Sequence, residues 1–184
     1  MVRNGFVMIV VLIPAAAGLA AEPVASGPQA GEKVPGPFKP LNATGPDAGK
    51  KECLYCKNGS RPVVMVFARD MSPGVVSLIK KLDAATAAKS EEGLAGCLIL
   101  LSDMKDLAPA LAKWADAAGI RNIVLATYPS PGPEKYRLAP DAAVTVLLYT
   151  KQTVKANHSF RAGELTQTGV DSVMADLSRI LPRE

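Results

Sequence analysis

Chemistry-bearing side chains are scarce in this chain. Its 184 residues hold three cysteines, one histidine and one tryptophan, and aromatic residues make up 5%. A zinc site takes four ligands. Besides the pair Cys53 and Cys56, only Cys97 and His158 are left to complete one. Lys57 follows Cys56 where c-type haem attachment needs a histidine. No cofactor is therefore expected. The net charge is +4, with Lys and Arg scattered rather than run together. Without a basic run, and with few rings to stack on bases, nucleic-acid binding has little support. No internal repeat is visible, and beyond the N-terminus no stretch is long and apolar enough to cross a bilayer.

What is present begins with the N-terminus. Residues 1–21 read as a secretory signal: Arg3 supplies a positive start, residues 6–13 an apolar core, and Gly18-Leu19-Ala20-Ala21 a small-residue cleavage zone. The apolar run is short and interrupted by Pro14, which argues against an uncleaved anchor. No cysteine follows the small residues to carry a lipid. The expected location is secreted or periplasmic, with no membrane attachment after cleavage. Such a compartment is oxidising, so a close cysteine pair can persist there as a disulfide. Residues 22–37, rich in Pro, Gly and Ala, read as a flexible tether. Residues 38–184 form the expected domain.

Within it, residues 62–68 (Pro-Val-Val-Met-Val-Phe-Ala) form a continuous apolar, β-branched run suited to a strand buried on both faces. Ser72 is a good N-cap and Pro73 a good first helical residue. The helix after them puts Val75, Ile79, Leu82 and Thr86 on one face and Lys80, Lys81 and Asp83 largely away from it. Residues 97–101 form a second buried strand. Residues 106–118 form a helix aligning Leu107, Leu111, Trp114 and Ala118, ended by Gly119. A short strand is expected at 122–126, and a Pro-rich loop at 128–133 that serves as a connector or a docking loop. Residues 144–149 and 154–160 pair as a hairpin. A last helix at 168–181 turns Val170, Val173, Leu177 and Ile180 inward. An outer strand is expected at 34–41, and a loop at 42–60 that carries the cysteine pair. Strand–helix–strand–helix–strand demands parallel strands, and the hairpin adds an antiparallel edge. The fold class is α/β, a mixed β-sheet covered by helices on both faces.

This arrangement resembles the thioredoxin-like superfamily, and within it the peroxiredoxin-like (redoxin) branch, over residues 34–182. Three segments carry the resemblance. Val63-Val64-Met65-Val66-Phe67-Ala68-Arg69-Asp70-Met71-Ser72-Pro73 is similar to the strand and loop leading into a peroxiredoxin active-site helix. Cys97-Leu98-Ile99-Leu100-Leu101-Ser102-Asp103 is similar to the next core strand. Ala143-Val144-Thr145-Val146-Leu147-Leu148-Tyr149, with Lys151-Gln152-Thr153-Val154, is similar to the late strand and turn of thioredoxins. The active-site positions of these families are not matched. Peroxiredoxins carry a cysteine just after their Thr-Pro stretch, and Ser72-Pro73-Gly74-Val75-Val76 has none. A low-pKa thiolate drives that chemistry, and Val75 supplies none, so peroxidase activity is not expected. Val144 stands where thioredoxins place a cis-proline, with Pro140 four residues early. A cis bond to a non-proline costs about 3 kcal/mol, so this one is expected trans.

Cys53-Leu54-Tyr55-Cys56 is then the main chemical candidate, and it lies before the first core strand rather than after it. Its spacing permits thiol–disulfide exchange with a protein partner, because one thiolate attacks a mixed disulfide formed by the other. Thioredoxin practice implies Cys53 as the attacking residue, with Lys50, Lys51 and Lys57 placed to favour a thiolate. Two other readings stand beside exchange: a static disulfide in a non-catalytic binding module, and metal handling through the pair. Cys97, inside an apolar strand, reads as a small buried hydrophobe. His158 is expected at the surface or an edge, and Trp114 in the core. Arg69 and Asp70 form either a polar ligand site or part of the helix start.

Overall fold

The apolar runs of the sequence become the centre of one six-stranded sheet. The computed structural model describes residues 24–182, so the signal assigned to residues 1–21 lies outside it. Strands β1 (Leu41–Asn42), β2 (Val63–Ala68), β3 (Ala95–Leu101), β4 (Val124–Tyr128), β5 (Val144–Thr150) and β6 (Thr153–Phe160) stand in the order β1-β4-β3-β2-β5-β6. β2, β3 and β4 are parallel neighbours, β5 runs antiparallel to β2, and β6 to β5. The apolar runs at 97–101, 62–68 and 144–149 thus lie side by side as β3, β2 and β5. Lys151 and Gln152 both have positive φ, 50° and 59°, at the β5–β6 turn. Two such residues in succession match the twist of the flanking strands.

The four α-helices among the described residues are α1 (Leu54–Asn58), α2 (Pro73–Ala88), α3 (Leu107–Ala118) and α4 (Gln167–Ala175). Alternation along β2 divides the core. Val64, Val66 and Ala68 meet Val75, Leu78, Ile79 and Leu82 of α2, Leu111 of α3 and Val170 of α4 in one cluster. Val63, Met65 and Phe67 face a second cluster with Val34, Phe38, Leu54 and Tyr136. All three long helices therefore share one face. The chain steps from β2 to β3 to β4 in a single direction, and right-handed crossovers then place α2 and α3 on the same side.

Helices flank the sheet as expected, but unequally: among the described residues the second face carries the five-residue α1 and one 3-10 turn. Extended chain covers the remainder. Residues 129–143 connect β4 to β5 with a single 3-10 turn, Glu134–Tyr136. Tyr136 is 1% exposed, and its ring lies 5.1 Å from Phe38 and 5.3 Å from Phe67, with its hydroxyl donating to Gly36 O at 2.9 Å. Burying each such aromatic ring stabilises the fold by about 2 kcal/mol.

Residues 24–37 are also part of this cover, which corrects the tether reading. Gly31 N–H donates to Val154 O at 2.9 Å, Val154 N–H to Glu32 O at 2.9 Å and Val34 N–H to Gln152 O at 3.0 Å, so this segment pairs with the start of β6. Ser26 is buried, its hydroxyl 2.6 Å from that of Thr145 and accepting Ala139 N–H at 3.0 Å. The outer strand expected at 34–41 shrinks to β1.

Asp83 also departs from expectation. Expected away from the core face of α2, it is 7% exposed. One oxygen accepts N–H groups of Arg121, Asn122 and Ile123 at 3.0, 2.6 and 3.2 Å, and the other accepts Asn122 Nδ2 at 2.8 Å. The loop between α3 and β4 supplies donors enough to hold a buried carboxylate.

Candidate redox site

The end of the sheet where the resemblance would put a site is reduced to a small cleft of about 220 Å³, with Asp70, Ser72, Val144 and Arg161 on its wall. Val75 is fully buried in the first turn of α2. A Cβ on Gly74 would collide with the carbonyl oxygen of Leu165, so the segment between β6 and α4 rests directly on that turn. Arg69 is spent on the backbone, its Nε donating to Ala142 O at 3.0 Å and its Nη2 to Ala139 O at 3.3 Å. Asp70 accepts Ser72 N–H at 2.9 Å, and the Ser72 side chain makes no cap bond. Asp70 thus shapes the entry to α2, while Arg69 ties the end of β2 to the loop before β5. Among the described residues the one cis peptide is Ser130–Pro131, so Val144 enters β5 through a trans bond.

The cysteine pair lies at the other end, before β2 begins. β2 alone separates the two places by about 20 Å of strand. Cys53 and Cys56 are joined as a disulfide, with Cα atoms 5.2 Å apart. Cys53 is the N-cap of α1, and its sulfur accepts the N–H of Cys56 at 3.1 Å. Leu54, 4% exposed, pins the turn into the second-face core beside Val63. On the far side of α1, Lys151 N–H donates to Ser60 O at 3.2 Å. The two cysteines differ sharply in access: Cys53 is 8% exposed, whereas Cys56 is exposed to solvent. Spacing alone carries no sign of that difference, which depends on which half of the turn Leu54 anchors.

Lys57 does not act as a free cation beside the pair. It bonds Asp47 and lies 3.9 Å from Glu52. That ammonium holds the Asp47 carboxyl below the usual range. A cleft of about 430 Å³ opens beside α1, with Leu54 and Lys57 on its wall. Two further lining residues, Asn42 and Thr86, are buried, and their Oδ1 and Oγ1 have no hydrogen-bond partner. Cys97 reaches the same cleft but is 1% exposed, and burial pushes its thiol pKa up to about 12, which leaves it a hydrophobe in practice.

The other singled-out residues stand apart from the pair. His158 is half-buried on β6, its Nε2 2.9 Å from Asp176 Oδ2 and its ring stacked on Phe160. Trp114 packs at the border of the helical core. Among the described residues no three His, Cys, Asp or Glu side chains gather as a metal site. No helix among them is long and apolar enough to cross a membrane.

No family model matches the chain, and no curated protein sequence matches it. Solved structures do. A thiol peroxidase from Chromobacterium violaceum superposes with a TM-score of 0.59 at 12% identity, over 85% of this chain and 90% of that one. A DsbF homologue from Corynebacterium diphtheriae gives 0.57 at 15% identity, over 82% and 90%. A secreted Mycobacterium tuberculosis disulfide oxidoreductase homologous to E. coli DsbE gives 0.55 at 11%, over 77% and 94%. Identities this low speak for architecture rather than activity. With its six-stranded mixed sheet and flanking helices, the chain has a thioredoxin-like fold of the kind shared by these redoxin and disulfide-oxidoreductase structures.

Proposed function

We propose that this protein is an exported thiol–disulfide oxidoreductase that exchanges with protein thiols through Cys53 and Cys56. The carrying observation is a Cys-x-x-Cys disulfide with one of its residues exposed to solvent. Exchange requires a thiolate to reach a disulfide sulfur, and an exposed bridge is the labile kind. The cleft beside α1, with Leu54 and Lys57 on its wall, gives the chain around a reacting thiol a place to lie. Disulfide oxidoreductases among the structural neighbours support the same reading.

Redox titration of the purified protein against dithiothreitol tests it. A potential above about −300 mV, with turnover of a model disulfide substrate lost in Cys53→Ser and in Cys56→Ser, is expected. A lower potential with no turnover would make the pair a static clip and favour a binding module. Export rests on the N-terminal pattern, which predicts a mature chain starting near Ala21 or Glu22. N-terminal sequencing of native protein checks this, and an intact Met1 in the soluble fraction rules it out.

A further inference from the structure

The unequal burial of the two cysteines has a chemical direction. We propose that the pair works with reversed polarity: Cys56 receives the substrate thiolate and carries the mixed disulfide, while Cys53 is the leaving and resolving sulfur. This rests on the exchange reading above and adds the order of events. A thiolate displaces one sulfur of a disulfide by attacking the other, so the attacked sulfur must be reachable. Cys56 is exposed, whereas Cys53 is 8% exposed and adjoins Leu54, which is locked into the core. The leaving sulfur should be the one whose charge is better stabilised. Cys53 Sγ already accepts the N–H of Cys56 at 3.1 Å, and a hydrogen bond of this kind strengthens as charge develops on the acceptor.

A substrate thiolate bonds to Cys56 Sγ, the Cys53–Cys56 bond breaks, and its electron pair leaves on Cys53. A second thiolate of the substrate then attacks the substrate sulfur of the mixed disulfide. That releases an oxidised substrate and a Cys56 thiolate. The substrate loses two electrons and two protons, and the pair gains them. In the reducing direction Cys56 attacks a substrate disulfide, and Cys53 then displaces the substrate from Cys56. Cys56 meets substrate in both directions, and Cys53 in neither. The same hydrogen bond favours the thiolate at Cys53, which would suggest it as the nucleophile. Nucleophilicity, however, falls as thiol pKa falls, and a covered thiolate meets no substrate.

The test compares Cys53→Ser and Cys56→Ser in the full chain, reduced and exposed to oxidised glutathione. Intact mass follows formation of the mixed disulfide. Cys53→Ser, which retains Cys56, should react about tenfold faster or more when folded, and the two variants should react alike in urea. Equal rates when folded, or faster reaction at Cys53, overturn the proposal. Should either variant fail to fold, wild-type protein opened by limiting dithiothreitol and pulsed with iodoacetamide gives the same information. Label should appear first on Cys56, and label first on Cys53 refutes the order. The exchange reading fails on a separate result, a wild-type potential below about −300 mV without turnover. That result leaves the order of the two rates to be read independently.

Discussion

Removing the carboxylate of Asp83 should destabilise this protein more than its place on a helix suggests. Asp83→Ala deletes four hydrogen bonds, three from consecutive backbone N–H groups and one from the Asn122 side chain. Arg121 and Asn122 are exposed residues, so their amides can turn to water, whereas Ile123 is 3% exposed and its N–H is stranded. A stranded buried donor costs about 2 kcal/mol, and the lost charge-assisted bonds add about 2 more. The sum, about 4 kcal/mol, corresponds to a melting temperature lower by about 8–16 °C for a chain of this size. Asp83→Asn provides the control. It keeps an oxygen for the three backbone donors, and Asn122 can turn its amide to accept from the new NH2. Its cost should be near 1 kcal/mol, the difference between charged and neutral bonds. Thermal melts of the three proteins give the order, and amide exchange at Ile123 locates the effect. A melt of Asp83→Ala within about 2 °C of wild type would refute the bond network.

Other expectations follow from the packing around the first turn of α2 and from the buried titrating groups. Gly74→Ala forces a Cβ against the Leu165 carbonyl and should lower the urea midpoint by the equivalent of about 1–3 kcal/mol, and an unchanged midpoint contradicts that contact. Because Val75 fills the position of a peroxidatic cysteine, stopped-flow mixing with hydrogen peroxide should show no rapid, cysteine-dependent turnover. Folded Cys97 keeps its proton to about pH 12, whereas in the unfolded chain a thiol loses it near about pH 8.5. Between these values the unfolded state binds fewer protons, so stability falls as pH rises. Tyr136 and Tyr149, pushed upward by burial, add to the fall from about pH 10. Urea midpoints should decline from about pH 8 to about pH 11, less steeply in Cys97→Ala, and identical slopes in the two proteins would show that Cys97 is not held protonated.

Much of the sheet was legible because its strands are unbroken apolar runs. The run at 62–68 had to be central, and Ser72-Pro73 marked the start of α2. The inward set Val170, Val173, Leu177 and Ile180 was also found buried as spaced. What escaped detection uses other forces. Residues 24–37 dock through backbone hydrogen bonds, a buried serine and the isolated Val24 and Val34, which together leave no apolar period. Asp83 looked like a solvent-facing charge because its partners lie about forty positions away, as the separations of 38 to 40 residues in its bonds show. The location of the pair ahead of β2 was plain in the sequence. The contrast between its two sulfurs was not, since it depends on the depth to which Leu54 is drawn.

The pairing of residues 31–34 with β6 also bears on how copies of this chain meet. A bare strand edge is a template for another chain to add to. On one flank the last strand, β1, is two residues long, too short to recruit a neighbour. On the other, the eight-residue β6 would lie open if Gly31, Glu32 and Val34 did not occupy its start and Asn157 did not hold the carbonyls of Ser26 and Pro28 at 2.8 Å. The segment therefore guards the protein against edge-to-edge association. Cleavage near residue 21 would leave this guard in place, whereas a chain trimmed to Phe38 would expose β6 and should self-associate.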